Sequence, residues 1–491
     1  MRCWRPFSVV LALLAGGSAS GLTQGEGEGG STLAQDSRPW EPCERAAVAL
    51  GAPLNAEDLE LRELVHAGRG LFFARNDGTT GLEPWLSTGT RGAGTSLVKD
   101  IHPGPGGSNP SDFTRVGSRV FFSAEEPGSG RELWVSDGTP EGTSLVKDIW
   151  PGATGSYPRS LFEYKGLLYF AAGTEEHGRE LWRSDGTPEG TFLVEDVDRG
   201  PEGTAPDRLM RGGDGALYYL IDREGTFTVL MRGDGGPGAV ELFRMTTEGA
   251  ILESLTAVGR RVFFVAGDVH HDTVDLMVTS GGAPVRVGRF TEIRDLVSMG
   301  GRLYFTASTQ ARNTPHGGGG HPHEGVADLE LWRSDGTVKG TRRVKDIRPG
   351  TQGSSPRGLR VMGRQLFFTA DDGTHGAELW VSNGTDSGTR LFADLESGAA
   401  GSFPRELTVL EGNLFFSAET AGRGREAWLS HGTPGGAVAL GEVAPGVGSS
   451  EPRRFVRAGW DAFFTATDGT GTLWLWALPL RPPGRCDTQS Q

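Results

Sequence analysis

Nine copies of an aromatic pair, each inside a short strand-like run and set among turn residues, predict an all-β chain of repeated four-stranded units closed into one β-propeller. The pairs are Phe72-Phe73, Phe121-Phe122, Tyr169-Phe170, Tyr218-Tyr219, Phe263-Phe264, Tyr304-Phe305, Phe367-Phe368, Phe415-Phe416 and Phe463-Phe464. Their spacings of 49, 48, 49, 45, 41, 63, 48 and 48 residues match the length of a propeller blade, roughly 40 to 50 residues. The third observation is the hairpin Arg131 to Ile149, RELWVSDGTPEGTSLVKDI, which recurs in better or worse copies along most of the chain. Nine blades are expected, or eight if the degenerate fourth and fifth units merge or lie outside the ring.

One unit shows why each element forms. Leu133-Trp134-Val135 and Ser144 to Ile149 are strand-like runs separated by Asp137-Gly138-Thr139-Pro140. Upstream, Phe113 to Val116 and Val120 to Ala124 join through Gly117-Ser118, where glycine supplies the positive φ of a tight hairpin. Four antiparallel strands with bulky residues on both faces need cover on both, and radial stacking supplies it. A linear array would need polar capping units, and neither end unit is polar on its outer face.

The segments Glu132 to Thr139, Glu180 to Thr187 and Glu330 to Thr337 read Glu-Leu-Trp-x-Ser-Asp-Gly-Thr, with Asn383 and His431 in place of the Asp in later copies. Over residues 60–478 the chain resembles the bacterial ELWxxDGT-repeat proteins. The resemblance implies a secreted or surface-associated β-propeller and almost nothing about activity.

Residues 1–20 read as a secretory signal: Arg2 and Arg5, an apolar run from Val9 to Ala15, and Ser18-Ala19-Ser20 as cleavage site. The run is too short to span a bilayer, so no integral membrane segment is expected after processing. Cys3 precedes the apolar run and is not placed as a lipid-anchored cysteine. Residues 21–38 form a Gly/Glu-rich tether, 39–486 the propeller, and 487–491 a disordered tail. The expected localisation is secreted, periplasmic or cell surface, as a monomer.

The last unit has three strands near Phe455 to Arg457, Ala462 to Ala466 and Leu473 to Ala477, and the fourth is expected from Ala46 to Leu50 at the other end of the chain. That arrangement brings Cys43 and Cys486 together at the Asp-Gly-Thr end of the blade, where an oxidising compartment would join them.

The net charge of −14 becomes −16 without Arg2 and Arg5, which argues against nucleic acid and anionic membranes as partners and is compatible with divalent cations. Pairing Ser136 with Thr143 sets Trp134 opposite Leu145 and Glu132 opposite Lys147, which reads as a structural ion pair; the same register pairs Glu330 with Lys345 and Glu83 with Lys99. It fails at Glu180, which would face Glu195. Calcium at each Asp-Gly turn is disfavoured, since the position varies through Thr88, Asp137, Asp185, Asp335, Asn383 and His431. The linker pairs Pro103-Gly104, Pro151-Gly152, Pro349-Gly350 and Pro445-Gly446 read as structural turns.

Loops on the linker face carry Asn76-Asp77, Glu125-Glu126, Glu175-Glu176 and Asp371-Asp372, an acidic rim. In the irregular units, Asp268, His270, His271 and Asp272 share that face with an insertion holding His316, His321 and His323. These side chains suit zinc, copper or nickel, against the plainer reading of a His-rich loop with weak affinity. No catalytic residue or organic cofactor site is legible: the sequence has no nucleophile elbow, zinc-protease helix motif or phosphate loop. The leading expectation is a non-enzymatic propeller binding a surface or extracellular glycan or protein, with Tyr157 and Phe403 as exposed aromatics. The alternatives are a glycan-active hydrolase or lyase with carboxylates in the central channel, and a structural component of the cell surface or matrix.

Overall fold

Strand b of every unit alternates its side chains between two faces, so two adjacent aromatics project in opposite directions. In the computed structural model the first member of each pair packs against the following blade and the second against the preceding one. Phe121 shares a core with Phe170, Tyr169 with Tyr219, Tyr218 with Phe264 and Phe263 with Phe305. The series continues with Tyr304 and Phe368, Phe367 and Phe416, and Phe415 and Phe464. It closes with Phe463 on Phe73 of the first blade, and Phe72 on Phe122. The core is thus a ring of inter-blade layers, in which burying one Phe contributes about 1.5–3 kcal/mol.

The described residues are 38–486 apart from 45–46, 55–63, 69, 90–93, 224–225, 247–248, 269–270, 311–327, 442, 445 and 484; they belong to one unit, Arg38–Gln491. The proposed signal, the tether as far as residue 37, and the last five residues lie outside them. Nine antiparallel sheets follow one another in chain order, and the innermost strands of successive blades touch all the way round, the ninth on the first. The count is nine, because the degenerate units form complete sheets: Asp207–Arg211, Leu217–Arg223, Phe227–Gly233 and Val240–Met245 in blade 4, and Ala250–Val258, Arg261–Asp268, Val274–Thr279 and Val285–Phe290 in blade 5.

Blade 9 combines Arg453–Ala458, Asp461–Thr467 and Leu473–Arg481 with the N-terminal strand Val48–Leu54, which pairs Val48 with Ala477. The shorter strand Glu41–Pro42 pairs with the far end of the same partner, at Arg481 and Leu480. Between these two pieces, Cys43 is bonded to Cys486 with a Cα–Cα distance of 5.1 Å. Trp40 stacks on Trp460 at 5.4 Å and lies under the Arg457 guanidinium. Its backbone N–H donates to Glu411 O in the turn of blade 8, and Asn413 Nδ2 donates to its carbonyl.

The inner strands of blades 2 to 9 are each broken by a bulge. In blades 2 to 9 the bulge residue, Asp112, Ser160, Arg208, Ser254, Asp295, Gly358, Glu406 or Arg454, has a φ between 51° and 66°. Neighbouring bulges are tied together around the channel: Ser160 N donates to Asp112 Oδ1, Ser160 Oγ to Asp207 Oδ1, Gly358 N to Asp295 Oδ2, and Arg454 N to Glu406 Oε2. A bulge re-aims the residues beside it, and the residues that precede it in blades 2 to 4, Ser111, Arg159 and Asp207, line one cavity.

Candidate functional site

The two faces of the ring are built differently. On one, the Asp-Gly-Thr loops are closed on themselves. Asp137 Oδ1 accepts from Thr139 N at 2.9 Å and Thr139 Oγ1 at 2.7 Å, and Thr143 Oγ1 both donates to Thr139 O and bonds Ser136 Oγ. Asn383 does the same with its single Oδ1, which is why Asp is replaceable there. The later glycine of the motif is required, since a Cβ on Gly142 would stand 2.1 Å from Asp137 Oδ1. The side-chain oxygen at the head of this turn is therefore occupied by the loop itself.

The repeated glutamate also belongs to the scaffold, by a different route from the ion pair expected above. A bulge in the outer strand places Lys147 opposite Leu133 instead of Glu132, and the Lys147 ammonium donates to Thr191 O in the turn of the next blade. Lys99 likewise reaches Thr143 O, and Lys345 reaches Asp386. In blade 3 the same bulge sets Glu195 opposite Leu181, where its carboxylate accepts from Gly238 N and Ala239 N of the next turn. The predicted conflict between Glu180 and Glu195 does not arise.

Freed from lysine, each motif glutamate is buried and clamps the following linker. Glu378 accepts from Leu395 N, Glu396 N, Ser402 N and Ser402 Oγ; Glu83 and Glu330 hold the same four positions of their linkers. Carboxylates are acceptors only, so four donors converging on two oxygens suit the group. The Ser-x-Pro ending the linker supplies two of those donors at Ser108, Ser156, Ser354 and Ser402, while Thr204 and Ser450 give only their hydroxyl. Blades 4 and 5, which run into their successors without such a linker, lack the glutamate; Asp275 in blade 5 instead pairs with Arg286 and Arg289.

Burial pushes the Glu132 carboxyl up to about 6 and Glu180 up to about 7, against the pull of the linker hydrogen bonds. Because the folded values lie above the ordinary 4.5, stability contributed by these groups is full below that pH and is lost as pH rises through 6 to 7. The melting temperature of the chain is expected to fall more steeply between pH 5 and 8 than that of Glu180→Gln; parallel slopes in a thermal scan would refute this.

On the opposite face, where the linkers and the loops between the second and third strands emerge, the channel opens. The residue after the linker proline begins the inner strand and is exposed there: Arg159, Arg357, Arg405 and Arg453, joined at the equivalent point of blade 6 by Arg294. Blades 6 to 9 therefore present four consecutive arginines. Asp207 and Glu253 hold this position in blades 4 and 5, and Ser111 in blade 2. The third strands add Arg131, Arg179 and Arg425, half-buried or buried, whose pKa values are pushed down mainly by burial and further by neighbouring guanidiniums. A cavity of about 720 Å³ lies in this mouth across blades 2 to 4, walled by Arg131, Arg159, Arg179, Asp112 and Asp207. A second, of about 340 Å³ and largely apolar, shares Tyr157 and Arg179 with it and is walled also by Trp150 and Pro201.

The acidic rim lies around this basic mouth, and much of it is engaged locally. Asp77 accepts from Thr79 and Thr80, Asp371 pairs with Arg348 at 2.6 Å, and Asp372 bonds His375. The mouth thus carries arginines on blades 6 to 9, and arginines interleaved with Asp112, Asp207 and Asp222 across blades 2 to 4, which the acidic loop sequences do not convey. The missed signal was the recurrence of Pro-Arg at the end of four linkers, at Arg159, Arg357, Arg405 and Arg453.

Of the proposed metal ligands, Asp268 and His271 are described and bond one another, His271 Nδ1 to Asp268 Oδ2 at 2.7 Å. His270, His316, His321 and His323 lie outside the described residues. Among the described residues no group of three or more His, Cys, Asp or Glu is gathered as for a metal ion, and no helix is long and apolar enough to cross a membrane.

No protein-family model and no curated protein matches the chain. Among solved structures it is similar to a puromycin hydrolase (TM-score 0.37, 14% identity, 73% of this chain and 58% of that one). It is also similar to a prolyl endopeptidase (0.39, 13%, 68% and 49%) and to an oligogalacturonate lyase in complex with manganese (0.38, 12%, 77% and 98%). The chain spans about half the length of the puromycin hydrolase and of the prolyl endopeptidase. At these scores the likeness bears on no individual residue.

Proposed function

We propose that the chain is an exported, non-enzymatic propeller of the ELWxxDGT-repeat kind that binds an extracellular glycan or protein at the channel mouth on its linker face. The observation that carries this is the asymmetry of the faces. The Asp-Gly-Thr loops spend their polar groups on each other, whereas the mouth presents guanidiniums, two cavities and the exposed aromatics Tyr157 and Phe403. Concave sites with a few convergent polar groups beside apolar surface are where ligands bind.

Binding is favoured over glycoside hydrolysis by how the mouth carboxylates are used. Asp112 accepts from Ser160 N and from Ser111 Oγ, and Asp207 accepts from Ser160 Oγ, so both brace the bulges of neighbouring blades. A hydrolase needs one carboxyl group to protonate the leaving oxygen and a second to attack or to activate water. The Cys43–Cys486 bond is compatible with an extracellular setting.

The test incubates the disulfide-bonded chain with a panel of cell-wall and extracellular polysaccharides and surface-protein extracts, with EDTA or with added calcium or zinc, scoring retained protein and released sugar together. Retention without release is expected. Release of sugar would replace this reading with the hydrolase or lyase one, and cation-dependent self-association without retention would replace it with a structural role.

A further inference from the structure

We propose that the ligand at the channel mouth is an anionic polysaccharide, held by its carboxylate or sulfate groups on the arginine arc of blades 6 to 9 and on the arginine-lined cavity of blades 2 to 4. The inference rests on the binding role proposed above and names its ligand class. The first support is arginine without a counter-ion. Arg294 and Arg453 are paired with Glu292 and Glu451, whereas Arg357, Arg405, Arg159 and Arg179 make no salt bridge among the described residues, Asp295 and Asp371 lying only within electrostatic reach of Arg357 and Asp112 within that of Arg159. In a chain of net charge −14 with 62 acidic residues, leaving four guanidiniums unpaired at one mouth is not a consequence of composition.

Unpaired guanidiniums also crowd one another. Arg357 lies within the electrostatic reach of Arg405 and Arg294 as well as of Asp295 and Asp371, and Arg159 is felt by both Arg131 and Arg179, with Glu125 and Asp112 also near Arg131. An arriving anion relieves this repulsion, and the planar fork of arginine matches a carboxylate or sulfate with two parallel N–H donors. Successive arginines stand on adjacent inner strands, so the arc offers one anion site per blade. A polymer bearing charge at regular intervals can occupy several at once, which multiplies weak single contacts.

The second support selects a sugar over an acidic peptide. Tyr157 and Phe403, 43% and 41% exposed, each stand two residues before a mouth arginine, in Tyr157-Pro158-Arg159 and Phe403-Pro404-Arg405. Both are held at positive φ, 48° and 45°, so their placement is imposed by the turn. Tyr157 also walls the apolar cavity with Trp150 and Pro201. An aromatic face beside a guanidinium suits the apolar C–H face of a pyranose ring that carries an acid group.

The test measures retention of the disulfide-bonded chain by affinity electrophoresis through polygalacturonate, dextran sulfate, uncharged dextran and poly-L-glutamate, at 0.15 M and 1 M salt. At least tenfold stronger retention by polygalacturonate or dextran sulfate than by dextran is expected, lost at 1 M salt; which of the two retains it tells carboxylate from sulfate. Arg357→Gln with Arg405→Gln should weaken that retention tenfold or more with an unchanged melting temperature, since both side chains are exposed. Lys345→Ala on the opposite face should leave it unchanged.

Equal retention by dextran would overturn the anionic ligand while leaving glycan binding intact. Retention by poly-L-glutamate alone would overturn the sugar in favour of an acidic protein. Retention by none of the four would overturn the inference here, and the wider panel then decides the binding reading separately.

Discussion

Replacing Glu378 with alanine is expected to destabilise the ring by about 3–5 kcal/mol, the loss that follows when a buried, fully hydrogen-bonded charge is removed from its partners. The side chain is fully buried, and its removal leaves Leu395 N, Glu396 N, Ser402 N and Ser402 Oγ without their acceptor inside the inter-blade seam. Glu378→Gln should cost about 1–2 kcal/mol, because one oxygen still accepts from Glu396 N and Ser402 N while the new amide keeps the Ser402 hydroxyl as a partner but opposes the Leu395 N–H. Lys345→Ala is the discriminating control. If the glutamates were held by lysine, as the simple register suggests, removing the lysine would be as damaging as removing the acid; its observed partners are the exposed Asp386 carboxylate and carbonyl, so its loss should cost at most about 1 kcal/mol. Chemical denaturation of the three variants decides between the two assignments, and a Lys345→Ala effect as large as that of Glu378→Ala would refute the clamp.

Breaking the Cys43–Cys486 bond should produce the other large effect. The bond closes a loop with a sequence separation of 443 residues, and restricting an unfolded chain of that length stabilises the fold by up to about 5 kcal/mol. The loss in Cys43→Ser/Cys486→Ser is smaller than that ceiling if the closing strand holds without it. Val48–Leu54 keeps its pairing with Leu473–Arg481, and Trp40 keeps its stack on Trp460 and its hydrogen bonds to blade 8. The denaturation midpoint should fall in the double variant and in the reduced chain alike, with proteolysis of the reduced chain beginning at the strands Glu41–Pro42 and Val48–Leu54. An unchanged midpoint, with those residues still protected, would show that strand pairing alone closes the ring.

These two expectations also mark where the sequence could be read and where it could not. The aromatic pairs were sufficient for the architecture because a strand has a period of two: adjacent large side chains must face opposite ways, and only stacking on both sides buries both. Blade number followed from counting the pairs, the degenerate units included. Phe263-Phe264 still packs as the others do although the hairpin after it has lost its motif.

The glutamate was misassigned for a physical reason. One extra residue in the outer strand shifts register by one, and a one-residue shift moves every following side chain to a different partner. Nothing in Ser144 to Ile149 marks that bulge. The acceptors and donors that replaced the expected ion pair lie 17 to 24 residues away in the linker, or more than 40 away in the next blade, at separations where spacing carries no geometric information.

What the sequence by itself determined, then, is whatever follows from local periodicity: strands, the turn chemistry of Asp-Gly-Thr, the repeat, and the residues able to fill a layer between two sheets. Only the tertiary structure decided the character of the channel mouth. Arg357, Arg405 and Arg453 are 48 residues apart in pairs along the chain, and each looks like a lone surface charge after a proline. Closing the ring sets their strands side by side, and charges that were independent along the sequence become a single field at the mouth.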